Sequence, residues 1–176
     1  MNDQKIALLG ASGHIGKNII QHLSTKKNYE LILFSRNKRK LQYTIKNCFP
    51  NKNFNILDYE NFDKSYYDII INCIGMSDPK DLQLNENIIY ELSEHYEKIV
   101  LGYLENSPDT LYINMSSGIV YEENFTSPVD QSTNINELKS TKPPHPYVVA
   151  KRKAEINKFT TVGFSANTPR NIYSST

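Results

Sequence analysis

The residues whose spacing most plainly implies chemistry are the glycines of Gly10-Ala11-Ser12-Gly13-His14-Ile15-Gly16. They follow a short apolar run and open a stretch with helical spacing. A glycine at 10 lets the chain turn sharply off a strand. One at 13 removes a Cβ where backbone must approach a pyrophosphate, and one at 16 lets the helix pack close to the sheet. The helix start then presents unpaired N–H groups and a partial positive charge to the anion. Ser12, His14 and Ile15 share the turn and count with Gly10, Gly13 and Gly16 as cofactor contacts. An ordinary strand-to-helix turn could use glycine for geometry alone. Glycines that leave a strand, open a helix and precede a second strand point instead to a dinucleotide.

The second strand ends about 20 residues further on, where an acid would hold the adenosine ribose hydroxyls of NAD. Ser35-Arg36-Asn37-Lys38-Arg39 stands there instead. An acid would repel a 2′-phosphate, whereas Ser35 and Arg36 can hydrogen-bond and pair with it. The expected cofactor is therefore NADP, with NAD second. A solvated basic helix start is the plainer alternative.

The elements that must position these residues are legible as apolar runs. Lys5 to Leu9, Tyr29 to Phe34, Asp68 to Ile74 and Leu111 to Met115 are continuous rather than alternating, with a weaker run from Phe54 to Leu57. Continuous runs suit strands covered on both faces. Ile15, Ile19, Ile20 and Leu23 have helical spacing, as do Ile88, Ile89, Leu92, Tyr96, Ile99, Val100 and Tyr103. Alternation of this kind predicts right-handed crossovers and a doubly wound parallel α/β sheet, Rossmann-like. Asn106-Ser107-Pro108-Asp109 should end the long helix. From Glu122 to Pro146 the chain is polar and irregular, with Pro128, Pro143, Pro144 and Pro146 opposing a helix. Tyr147 to about Phe159 could be helical again, and the end is rich in Ser, Thr and Asn. The expected organisation is a dinucleotide-binding domain over residues 1–160 and a polar tail over 161–176.

Size and charge bound the function. The chain has 176 residues, with 20 Lys plus Arg against 19 Asp plus Glu, a net charge of +1. That length can bury a core. Near-neutrality leaves no broad field for nucleic acid or an anionic membrane, though local basic clusters can still matter. Met1 to Lys5 lead into an apolar run too short for a signal peptide, and no stretch approaches the ~18 apolar residues of a spanning helix. Cys48 and Cys73 lie far apart with no C-x-x-C pair, so they are expected as free thiols and buried filler in a cytoplasmic protein. No metal site is expected.

On these residues the chain resembles the short-chain dehydrogenase/reductase superfamily, in its extended, sugar-nucleotide-modifying branch. The glycine spacing G-x-x-G-x-x-G is that branch's form. Asp58 looks like the family's adenine-contacting Asp, and Asn72-Cys73-Ile74-Gly75 resembles the segment beside the cofactor ribose. Ser116-Ser117-Gly118-Ile119-Val120-Tyr121 resembles the serine-rich end of the following strand. Tyr147-Val148-Val149-Ala150-Lys151 reproduces the Y-x-x-x-K pair, with Ala154-Glu155 after it. The resemblance runs from about Ile6 to about Phe159.

The resemblance implies Ser117, Tyr147 and Lys151 as the catalytic set. Ser117 is the better match for the serine that polarises a substrate oxygen, with Ser116 second. Tyr147 and Lys151, four apart, would share one helical face. An ammonium beside a phenol favours phenolate, so the tyrosine is expected to exchange protons near neutral pH. In the family the lysine also holds the nicotinamide ribose, so Tyr147 and Lys151 count as cofactor contacts too. The implied activity is NADP-dependent hydride transfer on a nucleotide-linked sugar: oxidoreduction, epimerisation or dehydration. The alternatives are a non-catalytic NADP-binding regulatory module and an inactive truncated form. Extended members continue with further strands and a substrate lobe, which this sequence largely lacks, and the N-x-x-G-T pattern is missing from Ile88 to Leu104. The implied partner is a small molecule, with no nucleic acid and no membrane; a homo-oligomer is compatible with this reading.

Overall fold

Each continuous apolar run forms a strand. The computed structural model describes residues 3–75, 86–121 and 146–161. Its strands are β1 (Gln4–Leu9), β2 (Tyr29–Phe34), β3 (Asn55–Leu57), β4 (Ile69–Asn72) and β5 (Leu111–Asn114). All pair in parallel, in the order β3-β2-β1-β4-β5. Parallel neighbours require crossovers. These contain α1 (His14–Leu23), α2 (Lys38–Cys48), a 3₁₀ helix (Tyr59–Lys64) and α3 (Glu86–Glu105). The chain steps outward from β1 to β3, then returns past β1 to lay down β4. That reversal creates a switch point between β1 and β4, at whose carboxyl edge α/β proteins bind ligands. The doubly wound sheet expected from the sequence is the observed one.

Alternate residues of a strand face opposite sides, and here both sides are buried. Ile6, Leu8, Leu31, Leu33 and Ile71 form one core with Ile20 of α1 and with Leu41 and Ile45 of α2. The intervening residues Ala7, Leu9, Ile32, Phe34 and Ile70 are buried as well. Phe34 meets Phe62 and Tyr67 edge-on, with ring centroids 5.2 and 6.1 Å away, and Tyr103 packs on Phe62 and Tyr67 at 5.4 Å. Each such side chain contributes roughly 1.5–3 kcal/mol by leaving water.

α2 was anticipated only as the alternative reading of Ser35 to Arg39, a solvated basic helix start. Its interior anchors are only Leu41 and Ile45, and Asn37 caps it by accepting from the Lys40 N–H at 2.9 Å. Cys48 corrects the expectation of a buried thiol: it is exposed, because Phe49 packs on the core in its place. Cys73 is half-buried, and neither cysteine is in a disulfide. No helix among the described residues is long and apolar enough to cross a membrane.

The chain divides into two compact units, Met1–Gly75 with Gly102–Met115, and Met76–Leu101 with Ser116–Thr176. The first holds the whole sheet. In it Asn106 stops α3, donating its backbone N–H to the Tyr103 carbonyl and its side-chain amide to the Gly102 carbonyl. The second holds most of α3, a 3₁₀ helix (Gly118–Tyr121) and α4 (Pro146–Thr161). Pro146 opens α4, where its missing N–H costs no helical bond. The irregular segment expected before it and the polar tail after Thr161 lie outside the described residues.

Candidate functional site

The five strands end in register. Leu9 pairs with Phe34 and Asn72, Phe34 with Leu57, and Asn72 with Asn114. The next residues, Gly10, Ser35, Asp58 and Cys73, therefore emerge along one carboxyl edge, beside the switch point.

The glycines of the turn do different jobs. Gly10 has φ +73°, and a Cβ there would also lie 2.9 Å from the Cys73 carbonyl carbon and oxygen. A Cβ on Gly16 would lie 2.5 Å from the Gly10 oxygen and 2.8 Å from the Ala11 Cα. Backbone cannot move aside cheaply, so the fold itself demands both glycines. At Gly13 a Cβ would meet only the Gly10 oxygen, at 3.2 Å. This glycine instead leaves an open approach to the start of α1. That helix has Gly13 as its N-cap, no side-chain cap and no acid in its first turn. Exposed N–H groups with no competing side chain suit a pyrophosphate.

Around the turn, the Ala11 N–H donates to the Phe34 carbonyl at 3.2 Å and the Cys73 N–H to the Leu9 carbonyl at 3.0 Å. Tyr59, missed in the sequence, ties the ends of two strands together. Its hydroxyl accepts from the Gly10 N–H at 3.2 Å and donates to the Phe34 carbonyl at 3.4 Å. Asn72 is buried; its Oδ1 accepts from the Ile74 N–H at 2.9 Å, while Nδ2 donates to the Tyr112 hydroxyl at 3.1 Å. The side chain thus shapes the Asn72-Cys73-Ile74-Gly75 turn.

The ribose end differs in detail from expectation. Ser35 is buried, donates to the Ser12 hydroxyl at 3.2 Å and accepts from the Asn37 N–H at 3.3 Å. Its hydroxyl is already committed within the chain. Arg36 is exposed. Asp58 lies 3.8 Å from the Lys38 ammonium. His14 begins α1, with Asn18 Nδ2 at 3.4 Å from its Nε2, and Ile15 is half-exposed beside it.

Within the second unit, Ser117, Tyr147 and Lys151 are brought together. The Ser117 side chain lies beside the Tyr147 hydroxyl, and the Lys151 Nζ stands 5.9 Å from the Tyr147 ring centroid. Burial pushes the Tyr147 hydroxyl above its ordinary pKa, and the Ser117 side chain offsets part of this. The lowering expected from Lys151 is not among the causes of the shift; desolvation dominates, and Tyr147 is protonated at neutral pH. Lys151 is itself buried. Two further contacts hold this group and had no sequence signal beyond neighbouring the pair. Arg152 Nε donates to the Val120 carbonyl at 2.6 Å, and Lys153 Nζ lies 2.6 Å from Glu94 Oε1.

A model of the NAD dependent epimerase/dehydratase family matches residues 6–157. The chain belongs to that family. It is the group that the glycine spacing and the Tyr147/Lys151 pair resemble. Among solved epimerase/dehydratase structures, a UDP-Glc/GlcNAc 4-epimerase from Campylobacter jejuni superposes with a TM-score of 0.73 at 16% identity, covering 90% of this chain and 49% of its own. A UDP-glucose 4-epimerase from Bifidobacterium longum, in complex with NAD+ and UDP, gives 0.71 at 17% identity, with 91% and 50% covered. A dTDP-glucose 4,6-dehydratase from Bacillus anthracis, in complex with NAD, gives 0.68 at 16%, with 90% and 50% covered. These likenesses establish the fold, and the chain spans about half the length of these structures. No curated protein matches it.

Proposed function

We propose that this chain binds NADP(H) at the Gly10–Gly16 turn and performs proton transfer at Tyr147 during hydride transfer to or from a nucleotide-linked sugar. The observation that carries the catalytic part is the placement of the Ser117 side chain beside the half-buried Tyr147, with Lys151 one helical turn on. The dinucleotide, when bound, supplies or accepts the hydride. N–H groups at the start of α1 hold its pyrophosphate, and Gly13 keeps their approach open. Tyr147, protonated at rest, donates its proton to a carbonyl oxygen, and Ser117 donates a hydrogen bond to the same oxygen. The Lys151 ammonium stabilises the phenolate left behind. In the reverse direction the phenolate recovers the proton from a hydroxyl.

The choice of NADP rests on charge. Lys38, Arg39 and Lys40 fill the first turn of α2, which has no acid. Cations there oppose the helix dipole at a cost of roughly 0.3–1 kcal/mol each. A bound 2′-phosphate reverses that cost, and Arg36 stands next to it in the chain. Two of the solved structures named above are in complex with NAD or NAD+, so cofactor preference is the sharpest point of difference.

A second reading, a dinucleotide-binding module without turnover, is favoured by one observation: burial raises Tyr147 instead of activating it. Cofactor absorbance measured with UDP- and dTDP-sugars separates the two. Turnover that falls at least a hundredfold in Tyr147→Phe supports proton transfer. NADPH binding with no turnover, or turnover untouched by Tyr147→Phe, refutes it.

A further inference from the structure

One stretch of the first unit carries far more charge than the dinucleotide site uses. Between Ser35 and Leu57 the sequence has six cations, Arg36, Lys38, Arg39, Lys40, Lys46 and Lys52, and no carboxylate, in a chain whose net charge is only +1. Arg36 and the first turn of α2 are accounted for by the ribose end. Lys46 and Lys52 are not.

Those two lysines rim a groove of about 470 Å³ between α2 and β3. Lys38, Gln42 and Lys46 form one wall, a row of every fourth residue along α2, and no carboxylate lines the groove. The floor is apolar: Ile45, Phe49, Phe54 and Ile56, with the two phenylalanine rings edge to face at 6.1 Å. β3 borders the groove, and among the described residues it pairs only with β2, so its other edge is free of strand partners. Lys52 is anchored to the Ser24 carbonyl at 2.7 Å and Lys38 leans on Asp58, while Lys46 is exposed. Of the residues assigned to the dinucleotide, only Lys38, at the first turn of α2, also lines this groove.

We infer that this groove docks an acidic, extended peptide segment of a partner protein, its apolar side chains on the phenylalanine floor and its carboxylates against Lys38, Lys46 and Lys52. Charge complementarity selects an anionic partner. A recessed apolar floor selects one that inserts side chains, whereas a membrane is met by protruding apolar groups and a nucleic acid by exposed stacking faces. The free edge of β3 matches a peptide backbone, which can add to it as a strand while alternate side chains enter the groove.

The probe is a fluorescein-labelled short peptide in which glutamate alternates with leucine, titrated by anisotropy into the full chain. Binding should weaken as salt rises and fall about tenfold in Lys46→Glu/Gln42→Glu, which turns one attraction into repulsion and adds a second. Both positions are exposed and outside the cofactor and acid–base groups, so NADPH binding should be unchanged, and Lys46→Ala gives a milder version that conserves the fold. A glutamine-for-glutamate peptide should bind at least tenfold more weakly, and so should an all-glutamate one that lacks the apolar residues. No binding at millimolar peptide, binding indifferent to these variants, or tighter capture of an RNA oligonucleotide or of phosphatidylserine vesicles overturns the inference.

Discussion

Replacing each turn glycine by alanine separates the demands of the fold from those of a ligand. At Gly10, alanine must adopt a left-handed conformation, φ +73°, which costs roughly 1–2 kcal/mol for an L residue. Its Cβ would also press on the Cys73 backbone at 2.9 Å, adding the ~1–3 kcal/mol of an overpacked site. Gly10→Ala should therefore lose about 2–5 kcal/mol. Gly16→Ala meets backbone at 2.5 and 2.8 Å, a closer clash, against which alanine's helix propensity returns no more than about 1 kcal/mol. Gly13→Ala is different in kind. Its backbone, φ −73° and ψ 172°, is open to any residue, and the one tight contact is at 3.2 Å. The loss of unfolded-chain freedom offsets that contact by ~0.4–1 kcal/mol, so stability should stay within about 1 kcal/mol of the parent. Dinucleotide affinity should nevertheless drop at least tenfold, because the methyl group occupies the phosphate approach. Urea unfolding followed by circular dichroism measures the first quantity and calorimetric titration the second. If Gly13→Ala unfolds as readily as Gly10→Ala, the glycine serves the turn alone. If it folds and binds like the parent, the phosphate lies elsewhere.

Two other substitutions probe the core and the ribose end. The Tyr67 hydroxyl is buried without a hydrogen-bond partner, so Tyr67→Phe should stabilise the fold by ~1–3 kcal/mol in urea melts; a loss of stability contradicts this. Burial also pushes the Tyr67 hydroxyl up to about 12, a shift that the nearby Ser65 side chain offsets only in part. A raised folded-state pKa gives a contribution that is complete below the unfolded value near 10 and is lost as pH rises through about 12. The parent should therefore lose stability more steeply than Tyr67→Phe across that window, and parallel curves would show that another group dominates. Arg36→Asp should invert the preference for NADPH over NADH, moving it by ~1–3 kcal/mol, whereas an unchanged ratio removes Arg36 from the 2′-phosphate.

The sheet was legible because strands buried on both faces must be apolar throughout, as Ile6 to Leu9 and Leu31 to Phe34 are. The glycine turn was legible because geometry at Gly10 and Gly16 admits no other residue. α2 was hidden by its own surface: Leu41 and Ile45 are too few anchors to show a period among so many basic and polar residues. The bond from Gly10 to Tyr59, 49 positions away, leaves no local mark, and nor does the commitment of the Ser35 hydroxyl to Ser12. The Tyr147/Lys151 spacing was visible, but the direction of the Tyr147 shift depends on burial, which no four-residue spacing encodes.

Titration of the 176-residue chain with NADPH and with NADH, in parallel with folded Gly13→Val, tests the central claim most directly. The account predicts that NADPH binds about tenfold or more tighter than NADH, by pairing of Arg36 with the 2′-phosphate, and that Gly13→Val binds neither. Equal affinity for the two cofactors would contradict the assignment of NADP. Undiminished binding by Gly13→Val would contradict the phosphate site itself.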